Sequence, residues 1–152
     1  PVPPGLAALT RHPAMSETFV HEQPIRFAHC DPAGIVYFPR FFDLAHTVME
    51  DWLDQGVGAP MHTTIPKRRI GTPTVAIHCD FSQPMRIGDI LRFELRVTRI
   101  GRSSVELEYK GFHGDALCLH IRQTIVFMDL DAVKAIPIPP EWRGRIERFL
   151  VG

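Results

Sequence analysis

The chain has 152 residues, with Lys plus Arg 17, Asp plus Glu 17 and a formal net charge of zero. That balance gives no electrostatic case for nucleic acid or an anionic membrane surface as a general partner, and no apolar run approaches the length of a membrane span. Three scattered cysteines, Cys30, Cys79 and Cys118, draw neither a disulfide framework nor a CxxC metal pattern; with no signal-peptide pattern in view, the expected compartment is the cytoplasm.

The first stretch, residues 1–14, holds Pro1, Pro3, Pro4, Gly5 and Pro13 and no sustained periodicity. It is expected to be a poorly ordered extension, with Met15 a candidate start and residues 15–152 a single domain. Thr18 to Phe27 is the first expected strand, irregular or at an edge because of Pro24. His29-Cys30-Asp31-Pro32-Ala33-Gly34-Ile35-Val36-Tyr37-Phe38-Pro39 follows. Pro32 pushes Asp31 towards extended backbone, and Gly34 can take the positive φ that closes a tight turn. Pro39 suits the first position of a helix. The free N–H groups of Tyr37, Phe38 and Arg40 are expected at the positive end of that helix, near the Asp31 carboxylate. Such an arrangement can attack a carbonyl and hold the resulting oxyanion; equally, Asp31 can simply cap its turn.

From Pro39 to Gln55 the apolar residues Phe41, Phe42, Leu44, Ala45, Val48, Met49, Trp52 and Leu53 fall on one broad helical arc, and Gly56 is the expected left-handed stop. Val57 to Thr72 reads as a long connection carrying Lys67-Arg68-Arg69, either a phosphate-binding triplet or a solvated charge run. Strands are expected over Thr74–Phe81, Asp89–Ile100, Ser103–Phe112 and Ala116–Met128, each with period-two alternation and one packed face. A short apolar-sided helix over Glu141–Leu150 ends the chain. One long helix after the first strand and then an antiparallel meander is an α+β layout. No metal-ligand spacing appears among the His, Cys and acidic residues, so no metal is expected.

The segment from Phe27 to Pro39, with its Asp-Pro-Ala-Gly-Ile-Val core, resembles the signature of the 4-hydroxybenzoyl-CoA thioesterase family of hotdog-fold enzymes, and Gly71-Thr72-Pro73-Thr74-Val75 resembles a second family segment. The resemblance implies a curved antiparallel sheet wrapped around one long central helix. It also implies hydrolysis of an acyl-CoA thioester. Asp31 would serve as nucleophile or general base, with Gly34 shaping its turn and the backbone N–H of Phe38 polarising the carbonyl. Coenzyme A enters as part of the substrate and no separate cofactor is implied. Thr72 and Thr74 become candidates for the pantetheine arm, Lys67, Arg68, Arg102, Ser103 and Ser104 for the coenzyme A phosphates, and His46 for the acyl end. The sequence departs from the family member used for comparison in two places. Gly101-Arg102-Ser103-Ser104 is less basic, and His46 stands where an acid contacts the acyl group, so a 4-hydroxybenzoyl substrate does not transfer. A small aromatic or short-to-medium acyl group is expected. An acyl-carrier-protein thioesterase and a non-catalytic acyl-CoA binding module are the alternatives. A sheet curled about one helix leaves strand edges open, so a homodimer or homotetramer with the active site at a subunit interface is expected.

Overall fold

A computed structural model describes residues 16–152; the extension expected over residues 1–14 lies outside the described residues. Strand β1 (Phe19–Pro24) is followed by a 3-10 turn (Phe27–His29), helix α1 (Pro39–Asp51) and a π-helical turn that continues it (Trp52–Val57). A short helix α2 (Met61–Thr63) and a second π-turn (Thr64–Arg68) fill the connection. Then come β2 (Ile70–Gly71), β3 (Thr74–Phe81), β4 (Ile90–Ile100), β5 (Ser104–His113), β6 (Ala116–Val126), β7 (Met128–Asp129), β8 (Lys134–Ala135) and α3 (Pro140–Glu147). The five long strands form one antiparallel sheet in the order β1-β4-β5-β6-β3, and β2, β7 and β8 form a small second sheet. The α+β layout is therefore present.

Alternation explains the middle of the sheet. Leu91, Phe93, Leu95 and Val97 of β4, Val105, Leu107 and Tyr109 of β5, and Leu119, Ile121 and Ile125 of β6 are all buried. The inward face of α1 and its π-turn meets that core through Phe41, Leu44, Ala45, Val48, Met49, Trp52 and Leu53. Each large apolar side chain so placed contributes roughly 1.5–3 kcal/mol.

Several expectations are corrected. The first strand ends at Pro24 and not at Phe27, since Phe27 opens the 3-10 turn and is exposed. The helix does not stop at Gly56. Its π-turn carries the chain on to Gly58, which adopts φ 74 as the left-handed cap. Gly56 serves close packing instead, because a Cβ there would lie 3.0 Å from both Phe149 and Trp52. The strand expected to run on to Met128 breaks after Val126, and Met128 joins the small sheet.

The largest correction concerns β3. Its apolar residues do not make a packed face: Val75, Ile77 and Phe81 are 59%, 45% and 48% exposed. The strand lies at the edge of the sheet, paired only with β6, and is covered only in part, with Cys79 half-buried against the core and Phe81 beside Phe41.

Candidate active site

The motif folds as a small hairpin. Cys30 pairs with Val36, Tyr37 N–H donates to the His29 carbonyl at 2.9 Å, and Asp31 N–H donates to the Ile35 carbonyl at 2.9 Å. Asp31-Pro32-Ala33-Gly34 is the turn, closed by Gly34 N–H donating to the Asp31 carbonyl at 3.0 Å. Gly34 sits at φ 76, the left-handed region that glycine enters without a Cβ penalty. Asp31 Oδ1 accepts from Ala33 N–H at 2.9 Å and from Ile35 N–H at 3.4 Å. The capping role is thus real and takes one carboxylate oxygen. Among the described residues the other, Oδ2, has no hydrogen-bond partner. The hairpin is braced by Val36 N–H donating to Met85 at 2.9 Å and Ile87 N–H donating to Gly34 at 3.1 Å.

The helix N-terminus differs from expectation in detail. Of the three N–H groups expected to be free, Tyr37 is bonded within the hairpin and Arg40 donates to the Tyr37 carbonyl at 2.8 Å. Pro39, at the first helical position, has none. Among the described residues only Phe38 N–H is left without an acceptor in this turn, at the positive end of the helix dipole. The Phe38 ring is 57% exposed. It stands 6.2 Å, ring centre to ring centre, from Phe81 at the end of β3, and Phe81 lies 5.7 Å from Phe41. These rings, with Ile35, Val36, Pro84 and Met85, line an open groove of about 310 Å³, a volume suited to a small ligand.

The remaining site residues named from the sequence do not gather there within one chain. His46 is exposed on the polar side of α1. Thr74 begins β3, seven rises from Phe81, or about 23 Å away. Thr72 stands next to it, but its hydroxyl is buried without a hydrogen-bond partner, lining a small enclosed cavity with Leu53, Ile70, Phe127 and Trp142. Lys67 is exposed. Arg68 is committed to α3, donating to Glu141 at 3.0 Å and stacking 4.5 Å over Trp142; the Glu141 carboxyl is held below its usual range by its own helix-end N–H and then by Arg68. The turn carrying Arg102, Ser103 and Ser104 is tied down nearby: the Arg102 and Ser103 carbonyls accept from Ile138 and Phe127 N–H at 2.9 and 2.8 Å. His29 and Cys30 make no thiolate pair. His29 Nδ1 accepts from Arg26 N–H at 2.9 Å, while the half-buried Cys30 thiol points at the Arg26 carbonyl.

One polar group escaped the sequence reading. Tyr109 O–H donates to Gln123 Oε1 at 2.6 Å, and Gln123 Nε2 donates to Thr74 Oγ1 at 2.7 Å. Tyr109 is fully buried and Gln123 is 6% exposed. Burial pushes the Tyr109 phenol far above its ordinary range, so it remains a neutral donor. The signal was available: Gln123 is the one polar residue in the inward phase of Leu119, Ile121, Gln123, Ile125 and Phe127.

Known proteins resemble this chain in sequence and in fold. A 1,4-dihydroxy-2-naphthoyl-CoA hydrolase from Synechocystis is 28% identical over 131 residues, 85% of this chain and 94% of its own. The enzyme of that name from Crocosphaera subtropica is 31% identical over 97 residues, 64% of this chain and 70% of its own. The crystal structure of a 1,4-dihydroxy-2-naphthoyl-CoA thioesterase from Synechocystis superposes with a TM-score of 0.78 at 26% identity, over 86% of this chain and 96% of that one. Fold and relatives together define a hotdog thioester hydrolase. The chain belongs to the thioesterase-like superfamily, whose model matches residues 25–146.

Proposed function

We propose that this protein hydrolyses an aromatic acyl-CoA to the free acid and coenzyme A, with Asp31 as nucleophile or general base and Phe38 N–H as the oxyanion donor. The observation that carries this reading is the unpaired Phe38 N–H beside an aromatic groove, one hairpin away from a carboxylate with one free oxygen. A carbonyl entering the groove would accept from Phe38 N–H, and a single oxyanion donor is worth roughly 2.7–4 kcal/mol of barrier. The Phe38, Phe41 and Phe81 rings favour an aromatic acyl group, in keeping with the naphthoyl thioester named for the relatives.

The sheet is proposed to curl about the helix of residues 39–57, and two copies to pair through β3. That strand is the open edge with exposed apolar residues, the type of edge that natural proteins cover. Antiparallel pairing about a two-fold axis would bring the Thr74 end of one β3 to the Phe81 end of the other. The site would then combine Asp31, Gly34 and Phe38 of one copy with Thr74 of its partner, leaving Arg102, Ser103, Ser104 and Lys67 to meet the coenzyme A phosphates.

The test is thiol release from a panel of acyl-CoAs. Asp31→Asn keeps an oxygen for the Ala33 and Ile35 amides, so its unfolding midpoint should stay close to wild type while turnover falls by about 10²–10⁴. Equal rates for Asp31→Asn and wild type would remove Asp31 from the mechanism. Turnover only of a carrier-protein thioester would move the substrate from coenzyme A to the carrier.

A further inference from the structure

The Tyr109–Gln123–Thr74 chain runs from the middle of the core to the open edge of β3, and its hydrogens can be counted. The Tyr109 phenol has one proton and no exposure, and Gln123 Oε1 at 2.6 Å is its acceptor. Turning the Gln123 amide round would face its NH₂ to the phenol and strand the phenolic proton in the core, which costs on the order of 1–3 kcal/mol. The amide orientation is therefore fixed, and its Nε2 donates to Thr74 Oγ1 at 2.7 Å. Thr74 must accept on that side. Its own proton has no acceptor among the described residues and is free to point away from Gln123, on an exposed residue.

We propose that Tyr109 and Gln123 are positioning residues that hold the Thr74 hydroxyl as a directed donor to an amide carbonyl of the substrate's pantetheine arm. The inference rests on the thioesterase reading above and deepens it. An arm that offers carbonyl acceptors matches a hydroxyl whose acceptor side is already taken.

A double-mutant cycle tests this, read both as kcat/KM for an aromatic acyl-CoA and as the calorimetric dissociation constant of free coenzyme A. Thr74→Val should lower kcat/KM by roughly 3- to 10-fold, the worth of one hydrogen bond, chiefly through KM, and Thr74→Ser should restore it. Tyr109→Phe should lower it by a smaller factor in the wild-type background and not at all in the Thr74→Val background, because it acts only through Thr74. If Tyr109→Phe does not fold, Gln123→Met takes its place in the cycle with the same expectation. Equal effects in both backgrounds, or no effect of Tyr109→Phe in wild type, would overturn the inference. A wild type that binds coenzyme A but releases no thiol would overturn the proposed hydrolysis, and the cycle would still be read in the dissociation constants. A wild type that binds no coenzyme A would overturn both.

Discussion

Asp31 illustrates how a turn-capping carboxylate can keep one oxygen free for other work. Its Oδ1 caps the turn through Ala33 and Ile35 N–H, and its Oδ2 has no partner among the described residues. The turn and its acid were legible because everything that shapes them lies within a few residues: Pro32 before the bend, Gly34 at the positive φ, Pro39 at the helix start. The number of free amides was not legible, because the acceptors for Tyr37 and Arg40 depend on how the hairpin closes. Gln123 was missed for a related reason, since its partners lie 14 and 49 positions away along the chain. Cys79 carries a prediction at this scale. Burial, and then the neighbouring Asp80 charge, push its thiol up to about 11. A raised thiol pKa means the neutral form persists through ordinary assay pH. Alkylation of Cys79 by iodoacetamide at pH 8 should be about 100-fold slower than in the unfolded chain and should accelerate towards pH 11. Peptide mass spectrometry of timed samples measures both.

The strands of the sheet divide by what alternation can say. Period two identified the apolar face of β3 as well as those of β4, β5 and β6, yet only the latter three are fully covered. Alternation reports which face is apolar, and position in the sheet decides whether anything lies against it. The helix shows a similar limit. Its apolar arc marked the buried side correctly, but the π-turn over Trp52–Val57 moved the stop from Gly56 to Gly58, and no local signal distinguishes the two glycines. They should respond to substitution for different reasons. At Gly58 an alanine would sit at positive φ, and its Cβ would run into the Arg145 guanidinium, which donates to the Val57 carbonyl at 3.0 Å. Gly58→Ala should therefore cost about 1–3 kcal/mol, the left-handed strain plus a hydrogen bond, seen as a lower urea midpoint with unchanged slope.

At the scale of the whole molecule, one chain leaves its functional groups at opposite ends of β3. The Asp31 hairpin and Phe38 gather by Phe81, whereas Thr74 stands at the strand's start with Thr72 beside it. The sequence supplied both groups of residues and could not show that a single chain keeps them apart. On the proposed β3–β3 pairing, assembly would be a condition of activity. Ile77→Lys places a charge in the exposed apolar row of β3. Sedimentation should show a shift towards monomer, with loss of thiol release and little change in the far-UV spectrum of the fold. A fully active monomer would show that each chain works alone.

The separation along β3 has a genetic corollary. If each site borrows Thr74 from across the two-fold axis, Asp31→Asn and Thr74→Val damage different contributors to it. Unfolding and refolding an equal mixture of the two variants would give about half mixed dimers, each with one doubly defective and one unblemished site. Complementation should then restore roughly a quarter of wild-type turnover at low substrate from the unblemished sites, against roughly 5–17% for the same mixture before refolding, when Thr74→Val alone supplies the activity.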